Sequence, residues 1–186
     1  MSWKPALFLG DWTNLFLILL CATIFLLGII GLGDVCTKKS GPAFYKCDGS
    51  ELVAVMRRTT GMAKAFAKTV PGGKCVGYED IDAFLQHPSG LDVVYVSTRP
   101  GTHLEICTMV ASAGIACYVE KPVGRCALET ERISKIFKEA GLPLYTAYIS
   151  RAYEKTQCKW HDGPAFRQRI NIFPSDRWYA NFFIIL

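Results

Sequence analysis

The sequence predicts an α/β fold built on a doubly wound parallel sheet. Two observations carry this. Six short apolar runs alternate with helical segments from Phe25 to about Tyr153, and the first of those runs ends in a cluster of glycines. Strands separated by helices favour a parallel sheet covered on both faces, and right-handed crossovers wind the chain to either side of the first strand.

The elements follow in order. Phe25–Ile30 (FLLGII) is the first strand, and Pro42–Cys47 is a short helix entered through Ser40. Glu51–Met56 (ELVAVM) is β-branched and apolar, hence a strand, and Met62–Thr69 is an Ala- and Lys-rich helix. A short strand lies around Val76, with a helix at Ile81–Gln86. Leu91–Thr98 (LDVVYVST) gives the strongest strand signal in the chain. Thr102–Ala113 is a helix closed by Gly114, Ile115–Glu120 a strand, and Ala127–Ala140 an amphipathic helix stopped by Gly141. Leu142–Ile149 is the sixth strand.

Two segments stand outside this pattern. Residues 1–24 form an apolar leader of unassigned role. Leu15–Gly33 carries no charge and just reaches the roughly 20 residues a bilayer requires. Lys4 ahead of Leu15–Leu27 also resembles the start of a signal peptide. Spending Phe25–Ile30 on a membrane would remove the middle strand of the sheet, and what then remains is too short to span. Cleavage near Ala22 would spare the strand. The expectation is therefore a cytoplasmic protein without a membrane partner, with export or attachment through the apolar N-terminus as the alternative. Residues 151–186 lack a clean period and are expected to be a truncated or divergent tail to the domain of residues 25–150.

Composition narrows the function. Of 186 residues, 51% are hydrophobic, enough for a sizeable core, and the net charge of +5 is spread without a basic block. A nucleic-acid surface is thereby set aside. The eight cysteines form no C-x-x-C pair and no zinc-like spacing, so they read as mostly reduced core residues and no metal site is expected.

Candidate chemistry gathers at the strand ends. Gly28, Gly31 and Gly33 mark the turn out of the first strand, where a dinucleotide site needs a tight bend and close backbone approach to pyrophosphate. Asp34 and Val35 follow this turn, and the N–H groups beyond it and the following helix would face the phosphates. Cys36 occupies the third motif position, where Gly or Ala is usual. The second strand ends in Arg57 and Arg58 rather than the acidic residue of an NAD site, which favours NADP with NAD as the alternative. Ser97, Thr98, Pro100 and His103 follow the fourth strand, and Glu120-Lys121-Pro122 ends the fifth on the same rim. A lysine there can polarise a substrate hydroxyl or take up its proton.

Together, GIIGLGDV, VYVSTRPGTHLE, AGIACYVEKPVGR and AGLPLYTAY occur in the order and spacing of the Gfo/Idh/MocA oxidoreductases, which this chain resembles from about Phe25 to Tyr153. The resemblance implies an N-terminal Rossmann domain binding NAD(P), with the family's second α+β domain largely missing. It implies hydride exchange with a hydroxyl carbon of a sugar, polyol or related diol, and a homo-oligomer in a full-length form. By position, Gly31 and Gly33 would hold pyrophosphate, and Arg57 and Arg58 would face the adenosine ribose. Ser97, Thr98 and His103 would line the nicotinamide side, with Glu120 near its ribose, and Lys121 matches the catalytic lysine. Arg99 departs from the family, standing where a second proline or small residue is usual. The alternative reading is a non-catalytic dinucleotide-binding module or a truncated pseudoenzyme lacking the substrate domain.

Overall fold

The computed structural model describes residues 24–147. The leader and the tail expected at residues 151–186 lie outside them, apart from Ile24. Six strands form one sheet: β1 (Phe25–Ile30), β2 (Ser50–Met56), β3 (Val76–Tyr78), β4 (Val93–Val96), β5 (Ala116–Val119) and β6 (Leu144–Thr146). Their order is β3-β2-β1-β4-β5-β6, and every neighbouring pair is parallel. The order reverses between β1 and β4, so the loops leaving these two central strands diverge and leave a crevice at their carboxyl ends. Phe25–Ile30, which a membrane segment would have consumed, is thus a central strand of the sheet. No helix among the described residues is long and apolar enough to cross a membrane.

Five helices cover the sheet. The first, α1, runs over residues 34–46 and includes a π-helical turn at Cys36–Ser40 followed by Gly41–Lys46. It starts earlier than the sequence pattern predicts. Pro42 signals a helix start because it lacks an N–H donor, but the wider turn carries the helix through: Gly41 N–H reaches back to Cys36 O. Gly41 allows this, since a Cβ there would stand 2.6 Å from that oxygen. The remaining helices are α2 (Met62–Ala67), α3 (Ile81–Leu85), α4 (His103–Ser112), preceded by a 3₁₀ turn at Pro100–Thr102, and α5 (Ala127–Ala140). Asp80 caps α3 by accepting Ala83 N–H at 2.9 Å, and Gly141 closes α5 at φ +67°.

Strand alternation divides the core. Leu27, Ile29, Leu52, Val55, Val93 and Tyr95 face Phe44 of α1 and Ala63 and Ala67 of α2. Ile30, Ala54, Val94, Val96 and Val119 face Phe84, Val110, Ile133 and Phe137 of α3, α4 and α5. One extra residue in β2 preserves this division: Leu27 pairs with Leu52 but Gly28 with Ala54, so Val53 forms a bulge. Gly28, expected among the phosphate glycines, sits inside β1, where a Cβ would meet the Phe84 ring at 2.6 Å. It is a packing glycine.

Strands β4 and β5 are shorter than the apolar runs suggest. Asp92 precedes β4 and spends its carboxylate on Leu26 N–H at 2.8 Å, while Ser97 and Thr98 already belong to the rim. The last predicted residues of β6 lie outside the described residues.

Gly77 in edge strand β3 packs directly on α2, and a Cβ there would lie 2.6 Å from Ala63 O. Gly77→Ala is expected to push α2 off the sheet and destabilise the fold by ~1–3 kcal/mol, read as a lower urea midpoint at unchanged slope.

Candidate functional site

Hydrogen bonds between neighbouring strand ends fix the carboxyl rim. Gly31 N–H donates to Met56 O at 3.0 Å, Ser97 N–H to Ile30 O at 2.8 Å, and Glu120 N–H to Val96 O at 2.9 Å. The chain leaves β1 through Gly31 at φ +98°, where a Cβ would lie 2.7 Å from the Ser97 carbonyl carbon. Only glycine makes this turn with this contact. Gly33 differs, because nothing lies within 4 Å of the place its Cβ would occupy. That open space belongs to a cleft of about 980 Å³.

Gly31, Gly33, Asp34 and Val35 line one wall of the cleft, and α1 starts there with its first N–H groups. An anion fits this cradle: the backbone is bare at Gly33, and no side chain stands between it and the cavity. Asp34 pairs with Lys38 at 3.1 Å, both well exposed. Cys36 is fully buried beneath the turn, and burial pushes its thiol up to about 12, so it stays an uncharged thiol beside Ser40 and Ser97.

The two arginines after β2 divide in role. Arg57 Nη1 donates to the Leu32 carbonyl, and its Nε lies 3.4 Å from Thr59 Oγ1. It therefore ties the glycine turn to β2 while still lining the cleft. Arg58 is exposed on the same wall and makes no side-chain hydrogen bond or ion pair with a described residue. Lys39 and Arg99 also line the cleft without such a partner. Beyond the arginines the lining turns apolar at Ile81, Ile106 and Met109.

On the opposite side, Ser97, Thr98, Glu120 and Lys121 reach the cleft, with Lys121 exposed. The Lys121–Pro122 peptide is cis. Pro100 and His103, expected beside a cofactor, are not among the residues that line the cleft. His103 is fully buried, with Nδ1 3.1 Å from both the Pro122 and Val123 carbonyls and Nε2 3.1 Å from the Thr98 carbonyl. Carbonyls of the loop after β4 and of the loop after β5 thus meet opposite ends of one buried ring, and the nitrogen that carries the N–H donates to its side. Glu120 is held as well: Oε1 accepts from Tyr95 Oη at 2.5 Å, and Oε2 from Lys121 N–H at 3.1 Å.

The sequence pattern missed Tyr95, Ser40 and Lys39 as rim residues. Tyr95 carried a usable signal, since it is the one hydroxyl-tipped side chain within the apolar run Val93–Val96. Among the described residues the six cysteines are free thiols, and no group of three or more His, Cys, Asp or Glu comes together.

A parallel sheet of this strand order, with a glycine turn at its switch point and a basic cleft above it, defines a dinucleotide-binding α/β domain. A sequence model described as "Oxidoreductase family, NAD-binding Rossmann fold" matches residues 25–148. The chain belongs to this family, Gfo/Idh/MocA, and the matched part is its NAD-binding Rossmann domain. Oxidoreductase P35 of Formosa agariphila is 34% identical over 124 residues, which span 67% of this chain and 38% of that protein. A dTDP-3,4-didehydro-2,6-dideoxy-alpha-D-glucose 3-reductase of Streptomyces violaceoruber is 29% identical over 123 residues, 66% of this chain and 35% of the reductase. The chain thus spans little more than a third of the length of these relatives. Among solved structures, KijD10, a 3-ketoreductase from Actinomadura kijaniata in complex with NADP and TDP-benzene, superposes with a TM-score of 0.66. That match is 26% identical and covers 73% of this chain and 41% of KijD10.

The two turn glycines are expected to separate on substitution. Gly31→Ala forces a side chain into a left-handed backbone against Ser97 and lowers the melting temperature, at a cost of roughly 1–3 kcal/mol. Gly33→Ala leaves stability within about 0.5 kcal/mol but puts a methyl on the phosphate-facing wall, so NADPH binding measured by fluorescence weakens while the fold is kept.

Proposed function

We propose that this chain is the cofactor-binding half of an NADP-dependent oxidoreductase acting on a hydroxyl carbon, or the corresponding ketone, of a sugar, polyol or related diol. The observation that carries the reading is convergence on one cleft: a bare glycine turn, an unpartnered arginine and an exposed lysine occupy successive parts of the same rim. Their chemistries match the successive parts of one dinucleotide. Gly33 and the start of α1 take the pyrophosphate through backbone N–H groups. Arg58 meets the phosphate ester on the adenosine ribose, where a planar guanidinium offers two parallel charge-assisted bonds. Ile81, Ile106 and Met109 supply apolar surface for the adenine.

The nicotinamide, when bound, supplies or accepts the hydride. Lys121 lies on that side of the cleft and holds the substrate oxygen, taking its proton as the alcohol is oxidised and returning it in reduction. Glu120 offers carboxylate lone pairs to ribose hydroxyls, and its bond to Lys121 N–H fixes where the lysine chain starts. Similarity to ketosugar reductases supports a polyhydroxylated substrate.

The arginines provide the test of cofactor choice. Arg58→Ala should raise the Kd for NADPH by about tenfold or more and leave that for NADH nearly unchanged, because only a charged hydrogen-bond pair is lost. Arg57→Ala should weaken both cofactors alike and lower the melting temperature, since it frees the Leu32 carbonyl. Equal affinity of the unaltered chain for NADPH and NADH would overturn the NADP assignment. For the chemistry, Lys121→Ala should abolish turnover of a sugar and polyol panel with cofactor affinity kept; loss of that affinity would show Lys121 to be structural.

A further inference from the structure

Two residues outside the expected chemistry, Ser40 and Tyr95, form a connected polar chain with Glu120 beneath the rim. Ser40 lies at the end of the π-helical turn in α1, Tyr95 in β4, and Glu120 at the end of β5. Tyr95 Oη lies 3.1 Å from Ser40 Oγ and 2.5 Å from Glu120 Oε1. The tyrosine is 1% exposed. Its ring is clamped between Phe44 at 4.9 Å and Tyr118 at 5.4 Å, centroid to centroid. Such a ring has no rotamer freedom, so its hydroxyl is a fixed point rather than a mobile donor. Burial, and then the hydrogen bond to Glu120, push the phenol well above its usual range and keep it a proton donor.

A carboxylate has four lone-pair positions. Tyr95 and the Lys121 N–H use two, one on each oxygen, which settles both the rotation and the position of the group. The remaining two are left for donors arriving from the cleft, which Glu120 lines. The wide turn of α1 is what brings Ser40 to the tyrosine, and its Gly41 is the residue that permits the turn.

We infer that Ser40 and Tyr95 are positioning residues that orient the Glu120 carboxylate to accept the hydroxyls of the ribose on the nicotinamide side. The inference rests on the proposed dinucleotide reading and adds a selective consequence. Binding energy from this relay is felt only by ligands that carry the second ribose.

The test compares two probes on the whole chain: NADPH, and adenosine 2′,5′-bisphosphate, which lacks the nicotinamide mononucleotide half. Tyr95→Phe removes one oxygen and leaves the clamped ring in place. It is expected to weaken NADPH by about tenfold and leave the bisphosphate unchanged. Ser40→Ala should act in the same direction by about two- to fivefold, and it decides the matter should Tyr95→Phe fail to fold. Equal loss for both probes would make the relay merely structural and overturn the inference, as would no loss for either. If the unaltered chain binds neither probe, the dinucleotide reading itself falls and takes the inference with it. Binding of the bisphosphate with no further gain from NADPH would overturn only the inference.

Discussion

The contact between Gly31 and the Ser97 carbonyl is the constraint on which the site depends. It lies where β1 and β4 separate, and a single Cβ would not fit between them. Because the turn lies so close to its neighbour, the chain must rise steeply out of β1 and bring Gly33 and the start of α1 over the sheet edge. The crevice, the bare backbone on its wall and the helix start above it all follow from that approach. A looser turn would spread the same residues over a flat rim, where an anion would meet water instead of N–H groups. The strand order places this event at the middle of the sheet, so the constraint acts on both halves of the cleft at once.

Around this point the polar residues fall into two tiers. The lower tier is engaged within the protein: Arg57 holds Leu32, His103 lies between the loops after β4 and β5, and Tyr95 fixes Glu120. The upper tier, Lys39, Arg58, Arg99 and Lys121, has no such partner among the described residues. This division makes physical sense. A group whose hydrogen bonds are filled within the protein gives rigidity and has little left for a ligand, whereas an exposed cation keeps its donors for an incoming anion. Rigidity below and unspent donors above are what preorganised binding requires.

The fold was largely legible in the sequence because it rests on period and punctuation. Phe25–Ile30 as the first strand and Ala127–Ala140 as a helix match residue for residue. The departures occur where a tertiary partner overrides the local signal. Pro42 marks a helix start in isolation, but Gly41 and the wide turn absorb it. The extra residue Val53 cannot be seen in ELVAVM, since a bulge shows only against the partner strand. The site divides in the same way. Glycines that need an open backbone announce themselves, whereas an arginine or histidine is equally suited to a ligand and to a carbonyl. Arg57 and Arg58 are adjacent and chemically identical, and only the position of the Leu32 carbonyl tells them apart.

That same carbonyl explains how the turn tolerates Cys36 in the third motif position. A glycine there normally lets the first helix lie close to β1. Cys36 instead directs its thiol inward, fully buried in the core with Leu32 and Phe44, and burial keeps it uncharged. The helix, which starts at residue 34, passes through a π-helical turn at Cys36–Ser40, and the Arg57 bond ties the glycine turn to β2. The wide turn also brings Ser40 within reach of Tyr95. The irregular turn that holds Cys36 thereby connects to the carboxylate beside Lys121.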